Sequence, residues 1–188
     1  MKNFEKWNEE MFVYYGNQDR YSHENVFIRY NTLKRLNSIL SVVHKINPGN
    51  VLEIGCGAGM ILGKIRKYTS ITGLDFSATA VKQAQFNLRK RRNIRIVKGD
   101  AQNFNLKKKF DTIICSEVLE HLPEPQKVIE NIMKHAHPKT NIIITVPQEK
   151  NIDRVYAFIK LFGIRRLFGK KTVKMDWHIH KFSLPMIA

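Results

Sequence analysis

Three glycines and one aspartate have the spacing in this chain that most directly indicates a ligand site. Gly55, Gly57 and Gly59 follow a mostly apolar run, and Asp75 closes the next apolar run, twenty residues after Gly55. Glycine has no Cβ, so a glycine turn lets the backbone approach a ligand closely. A glycine turn after a first strand, followed by a carboxylate after a second strand, is the arrangement that holds a ribose-bearing cofactor.

The spacing of the glycines separates two classes of cofactor site. A dinucleotide site has the pattern G-x-G-x-x-G, which needs a glycine where this chain has Met60, so a nicotinamide oxidoreductase is disfavoured. The chain instead has G-x-G-x-G within VLEIGCGAG, Val51–Gly59, and Glu53 lies inside the preceding strand. This stretch resembles the first motif of class I S-adenosylmethionine-dependent methyltransferases. The alternative is the glycine turn of an ordinary βα unit.

The resemblance covers about residues 26–147 and implies a role for particular residues at the ends of the first three strands. Glu53 would help to place the methionine amino group of the cofactor. Asp75 would accept hydrogen bonds from both ribose hydroxyls, since each carboxylate oxygen can accept one bond. The other implied contacts are the loop residues Gly55, Cys56, Gly57 and Gly59 under the sulfonium, Phe76 on the adenine ring, and Asp100 with the Ala101 amide at the adenine edge. For Asp100, a plain turn residue is the alternative.

A fourth motif, FDTIICSEVLEHLPEP, spans Phe110–Pro125. It resembles the segment after strand four in ubiquinone-biosynthesis O-methyltransferases and related small-molecule methyltransferases. By that resemblance, Ser116 and Glu117 would line the cofactor pocket near the reactive methyl group. The chain has no N-P-P-Y or D-P-P-Y tetrapeptide, which favours oxygen over nitrogen as the methyl acceptor.

A hydroxyl acceptor needs a base or a metal ion to become nucleophilic. His121, in the fourth motif, is the best-placed candidate for either role. The alternative is that His121 forms a hydrogen bond to a neighbouring backbone group and takes no part in the chemistry.

The metal hypothesis rests on four residues. Glu117, Glu120 and His121 stand at i, i+3 and i+4, so one helical turn would place them on one face. Together with His180, in HIHKF, they resemble the metal site of small-RNA 3′-terminal 2′-O-methyltransferases. This alternative predicts that the four side chains converge on one Mg²⁺ or Mn²⁺, which favour oxygen-rich ligands.

The order of elements predicts an α/β fold with a doubly wound, mostly parallel sheet. The predicted strands are 50–54, 71–75, 94–98, 111–115 and 141–146, and the predicted helices are 26–43, 58–68, 78–92 and 125–136. We expect one domain in three parts: an N-terminal helical cover at 1–48, a cofactor-binding α/β core at 49–147, and a basic helical insert or lid at 148–188. The family continues with a C-terminal strand pair, which we expect to be missing here through truncation.

Charge is the outlying feature of the composition. Lys and Arg number 32 against 16 Asp and Glu, for a net charge of +16. This indicates an anionic partner such as RNA, DNA, an acidic lipid or a phosphorylated metabolite, with a compositional bias toward lysine as the alternative. The basic runs are RKRR at Arg89–Arg92 and KKK at Lys107–Lys109. The amphipathic stretch Ile152–Phe168 predicts a substrate lid, or alternatively a peripheral membrane contact.

The remaining features favour a cytoplasmic enzyme. The N-terminus lacks a signal-peptide core, no stretch reaches the roughly 20 apolar residues of a membrane span, and the two cysteines form no disulfide framework. The sequence therefore predicts a methyltransferase acting on a small-molecule or lipid hydroxyl. RNA 2′-O-methylation and a non-catalytic cofactor-binding protein remain the alternatives.

Overall fold

The computed structural model describes residues 26–146 and four N-terminal residues, Lys6, Glu9, Glu10 and Phe12. The backbone of these four residues is helical. The elements, in chain order, are α1 (Val26–Lys45), β1 (Gly49–Ile54), β2 (Tyr68–Asp75), α2 (Ala78–Leu88), β3 (Ile94–Lys98), β4 (Phe110–Ser116), α3 (Pro125–His135) and β5 (Ala136–Thr145). Two short 3₁₀ turns occupy Leu62–Lys64 and Leu119–His121.

The five strands form one sheet in the order β3-β2-β1-β4-β5, and every neighbouring pair is parallel. The predicted parallel sheet is therefore confirmed. From β1 the chain proceeds first toward β3 and then returns to the other side of β1 for β4. Ligands of such sheets bind outside the carboxyl ends of the strands at this switch point. The Gly55–Gly59 loop follows β1 there.

Helices cover both faces of the sheet. On one face α1 and α2 pack over β1 and β2, and the buried residues there include Ile39, Val43, Val51, Ile71, Val81 and Leu88. On the other face α3 packs over β1 and β4, with Leu52, Ile54, Phe110, Ile113, Val128 and Ile132. Each fully buried aliphatic side chain contributes about 1.5–3 kcal/mol of transfer free energy. Packing on both faces therefore stabilises the sheet and its carboxyl edge, where the glycine loop lies.

The segment between β1 and β2 differs from the sequence prediction. A helix was expected over 58–68, but only the 3₁₀ turn at Leu62–Lys64 forms and β2 begins at Tyr68. Gly59 and Gly63 each disfavour helix by about 1 kcal/mol relative to alanine. A segment this short also gains too few hydrogen bonds to offset helix nucleation.

From the sequence, Ser77 is expected to be the N-cap of α2, and the expected inner face is Ala78, Val81, Ala84 and Leu88. The structure matches the cap and differs at the inner face. Ser77 is the N-cap, and its hydroxyl accepts a hydrogen bond from the Ala80 N–H at 3.0 Å. Ala78 was expected on the buried face but is half-buried, and Ala80 is buried in its place. The helix ends at Leu88, so the Arg89–Arg92 run follows it and does not close it as predicted.

Candidate cofactor and acceptor site

The glycine loop is held in a conformation that few other residues adopt. Its three glycines have positive φ angles, of 72° at Gly55, 51° at Gly57 and 78° at Gly59. The Gly55 and Cys56 N–H groups both donate to the Leu74 carbonyl, at 2.8 and 3.0 Å, which ties the loop to the end of β2. A Cβ at Gly55 would lie 2.3 Å from Cγ2 of Val118. The loop is therefore fixed; Gly57 and Gly59 are buried and Gly55 is half-buried. Its glycines place no Cβ between the backbone and a ligand that lies against the loop.

Asp75 lies beside this loop with both carboxylate oxygens oriented by backbone. Oδ2 accepts from the Gly57 N–H at 2.7 Å, and Oδ1 accepts from the Ser77 N–H at 3.0 Å. Burial raises the pKa of Asp75, and the backbone hydrogen bonds from Gly57, Ser77 and Phe76 act in the opposite direction. Because a carboxylate accepts about four hydrogen bonds, Asp75 keeps acceptor capacity beyond these backbone bonds. The geometry fits a hydroxyl of a ribose.

Glu53 is a buried carboxyl on β1, and its side chain is only 2% exposed. Burial raises its pKa well above the usual range, the charge of Asp75 raises it further, and a hydrogen bond from the Leu62 backbone lowers it. Its Oε2 has no hydrogen-bond partner among the described residues. A buried oxygen without a partner costs free energy that a donor group would recover, so an ammonium group of a ligand fits this position.

Cys56 contributes to the loop through its backbone. Its side chain is 2% exposed and packs in the core beneath α1 and α2. Burial raises the pKa of the Cys56 thiol well above its usual value, and the charges of Glu53 and Asp75 act in the same direction. A cofactor contact by this residue would therefore come from its main-chain atoms.

The turn after β3 places Asp100 and Ala101 next to the end of β2. The Gly99 N–H donates to the Asp75 carbonyl at 2.9 Å, joining the two strand ends. Asp100 Oδ1 accepts from the Gln102 N–H at 2.8 Å, which is the bond of a turn residue. The Ala101 carbonyl accepts from Asn131 Nδ2 at 3.1 Å. Asp100 thus stabilises its own turn, and its contact with an adenine remains a prediction.

Ser116 is the last residue of β4 and Glu117 follows it, so both lie beside the carboxyl end of the neighbouring strand β5. The Ser116 and Thr145 hydroxyls are 2.8 Å apart, and the Glu117 N–H donates to the Thr145 carbonyl at 3.0 Å. Glu117 has a φ of 56°, in the left-handed region that few non-glycine residues adopt. Its Oε2 lies 2.8 Å from Nη1 of Arg35 on α1. Arg35 was not among the residues predicted for the site, although a cation within the apolar spacing of a helix was the available signal.

The expected grouping of Glu117, Glu120 and His121 on one helical turn is wrong. Only Leu119–His121 is helical, as a 3₁₀ turn, and Glu117 precedes it with a positive φ. Among residues 26–146 and the four N-terminal positions, no three His, Cys, Asp or Glu side chains are grouped to hold a metal ion. His121 Nε2 lies 3.8 Å from Glu120 Oε1, and the imidazole is half exposed. His180, the fourth predicted ligand, lies outside the described residues.

Part of the basic charge serves the fold. Arg91 donates to the carbonyls of Leu62, Gly63 and Ile65, at 2.9 Å to Leu62 and 2.6 Å to Ile65. Lys109 Nζ donates to the carbonyls of Lys134 and Ala136, at 2.7 and 3.2 Å. These cations satisfy carbonyls at the ends of a turn and a helix. The predicted anion-binding runs are therefore partly occupied by contacts within the chain, and no described helix is long and apolar enough to cross a membrane.

Comparison with known proteins shows the family. A model described as a methyltransferase domain matches residues 47–170, so the chain belongs to this methyltransferase family. A "Ubiquinone biosynthesis O-methyltransferase" of Coxiella burnetii (strain Dugway 5J108-111) is 36% identical over 148 residues, which cover 74% of this chain and 61% of the relative. A protein of the same name from Nitrosomonas europaea is 27% identical, over 73% of this chain and 60% of the relative. The chain thus spans about three fifths of the length of these relatives.

A solved structure confirms the fold. The N-methyltransferase NodS from Bradyrhizobium japonicum WM9, in complex with S-adenosyl-L-homocysteine, superposes with a TM-score of 0.65. The match covers 82% of this chain and 78% of NodS at 21% identity. At this identity the likeness establishes the architecture, and the acceptor has to be argued from the site.

Proposed function

We propose that this chain is an S-adenosylmethionine-dependent methyltransferase that methylates a hydroxyl group of a small molecule or lipid. The observation that carries the proposal is the edge formed by the glycine loop, Asp75 and Glu53. It combines a glycine loop with positive φ angles, a carboxylate oriented by backbone N–H groups, and a buried carboxyl oxygen that has no hydrogen-bond partner among the described residues. A ligand with a ribose diol and an amino group satisfies all three features.

The residues of the chain have a limited task in this reaction. When bound, S-adenosylmethionine supplies a methyl group already activated by its sulfonium, so the protein must align the acceptor and exclude water. The glycine loop and Asp75 would fix the cofactor end of that alignment. Ser116 and Glu117 would border the acceptor side, where Thr145 and Arg35 hold them in place.

The proton of an acceptor hydroxyl would pass to His121. Its imidazole is half exposed, so it is accessible to a substrate, and Nε2 lies 3.8 Å from the Glu120 carboxylate. A carboxylate at that distance favours the protonated ring that forms after proton transfer. A base of this kind contributes about 10²–10⁴-fold in rate.

Oxygen is favoured as the acceptor by the 36% identical relative, whose name describes O-methylation in ubiquinone biosynthesis. NodS is named an N-methyltransferase, so the shared fold does not distinguish oxygen from nitrogen as the methyl acceptor. Arg91 and Lys109 are engaged within the chain, which reduces the charge that the two basic runs offer to an RNA acceptor. Cytoplasmic location remains part of the proposal.

The experiment is methyl transfer from methyl-tritiated S-adenosylmethionine to phenols and catechols with and without an alkyl chain, with anilines as the nitrogen comparison. We expect label in the hydroxyl compounds and a rate about 10²-fold lower in His121→Ala. His44→Ala is the matched control, since His44 is exposed in the last turn of α1. Label in the anilines alone would contradict oxygen as acceptor, and cofactor binding without transfer to any acceptor would favour the non-catalytic alternative.

The metal hypothesis is tested in the same assay. Binding by Glu117 would require its carboxylate to leave Arg35. Transfer that is unchanged by EDTA would exclude a required Mg²⁺ or Mn²⁺, whereas loss by EDTA and recovery with either ion would support it.

A further inference from the structure

Glu9, in the N-terminal part of the chain, reaches the start of α2. Its Oε2 accepts a hydrogen bond from the Ser77 hydroxyl at 2.8 Å, and its Oε1 accepts from the Ala78 N–H at 2.5 Å. Burial alone would raise the pKa of Glu9, but the side-chain and backbone hydrogen bonds of Ser77, Ala78 and Thr79 leave it lowered. The carboxylate is thus ionised and bound at the first turn of α2, where free N–H groups favour an anion.

The same short segment is held from its other side by Asp75. Asp75 Oδ1 accepts from the Ser77 N–H at 3.0 Å, while the Ser77 hydroxyl donates to Glu9. Phe76 lies between these two contacts in the chain. Asp75, which the proposed function assigns to the cofactor, and Phe76, which the family resemblance places on the adenine ring, therefore belong to a segment that Glu9 contacts from outside the sheet.

Of the two described N-terminal glutamates, Glu9 makes this contact. The neighbouring Glu10 is exposed, and its carboxylate lies 3.8 Å from Lys6 in an i,i+4 pair at the surface. Surface pairs of this type contribute little. The chain thus offers a matched control of the same residue type, one position away and without contact to α2.

We propose that Glu9 is a positioning residue for the cofactor: it holds residues 75–78 in the geometry that accepts the ribose and adenine. This inference rests on the proposed function, because it assigns Glu9 to the same cofactor site. Glu9 does not itself touch the ligand. Its effect passes through Ser77 and Ala78 to the carboxylate that binds the diol.

The test is the affinity for S-adenosyl-L-homocysteine, measured by calorimetry on the full chain. Since hydrogen bonds to a charged group are the ones lost, Glu9→Ala should bind about tenfold more weakly than wild type. Glu9→Gln keeps an acceptor oxygen and should recover part of that loss. Glu10→Ala should bind as wild type does. Thermal unfolding of the ligand-free variants checks that each remains folded.

The outcomes separate the two claims. If wild type binds no S-adenosyl-L-homocysteine, both the proposed function and the role of Glu9 are overturned. If wild type binds and Glu9→Ala matches Glu10→Ala, the cofactor site stands and the positioning role is wrong. A tenfold loss in Glu9→Ala with no recovery in Glu9→Gln would also contradict it, because a carbonyl oxygen at the same place should still accept from Ala78.

Discussion

Arg35 of α1 and Glu117, the residue after β4, form an ion pair, with Nη1 and Oε2 2.8 Å apart. The two side chains are only 21% and 15% exposed, so water screens the pair less than it screens a surface pair. Because Glu117 has a φ of 56°, the pair also holds a residue in a conformation that costs backbone free energy. The pair joins α1 to the carboxyl end of β4, which the proposed function assigns to the acceptor side.

Loss of this pair should destabilise the protein. Arg35→Gln should lower the free energy of unfolding by about 1–3 kcal/mol, since it leaves a partly buried carboxylate without its cation. Urea unfolding measures the change, and Lys45→Gln, an exposed cation of the same helix, is the control. A double-mutant cycle with Glu117→Gln should give a coupling of at least about 0.5 kcal/mol. Strictly additive losses would mean that the two groups do not interact in solution.

A methyl group should be tolerated at Gly63, in the 3₁₀ turn that follows the glycine loop, and not at Gly55, within the loop. Gly55→Ala forces a side chain into a φ of 72° and within 2.3 Å of Val118, so we expect a loss of about 1–3 kcal/mol in unfolding free energy and weaker cofactor binding. Gly63→Ala is the matched control, since its Cβ would meet Leu88 at an ordinary 3.4 Å without a positive φ. Equal effects of the two substitutions would contradict the described loop conformation.

Glu53 should make stability depend on pH. Its pKa in the folded protein lies well above the ordinary 4.5, so the folded state holds its proton more tightly than the unfolded state does. The resulting stability is present below pH 4.5 and is lost as pH rises through the folded-state pKa. Glu53→Gln keeps the shape but removes the titration.

Urea unfolding of the ligand-free protein at pH 5 and pH 8 measures this effect. The unfolding free energy of wild type, relative to that of Glu53→Gln, should be lower at pH 8 than at pH 5, because a buried carboxyl is costly to keep charged. The same variant should bind S-adenosyl-L-homocysteine more weakly. A difference between wild type and variant that stays constant across this range would show that Glu53 does not titrate within it.

The sequence predicted the sheet and its carboxyl edge because those signals are local. Apolar runs of strand length, the glycines after β1 and the carboxylate after β2 are read within a few residues each. Ser77 was predicted as an N-cap for the same reason. The helix expected at 58–68 failed because its apolar spacing was outweighed by two glycines and by a short connection to β2.

The long-range contacts of the site could not be read in this way. Glu9 with Ser77 and Arg35 with Glu117 join distant parts of the chain, and no local pattern fixes which carboxylate meets which donor. The metal hypothesis assumed α-helical spacing from Glu117 onward. The positive φ at Glu117 turns its side chain to Arg35 instead, and such a φ is not visible in the sequence of a non-glycine residue.

Binding of S-adenosyl-L-homocysteine to Asp75→Ala tests the central claim most directly. Calorimetry should show saturable binding to wild type and a loss of about 1.5–3 kcal/mol in the variant, since hydrogen bonds from the ribose diol to a charged carboxylate are removed. Asp111→Asn is the control, because Asp111 lies at the opposite end of the sheet, where its Oδ2 accepts from the Asn50 N–H at 2.7 Å. Equal affinity of wild type and a folded Asp75→Ala would contradict the proposed cofactor site.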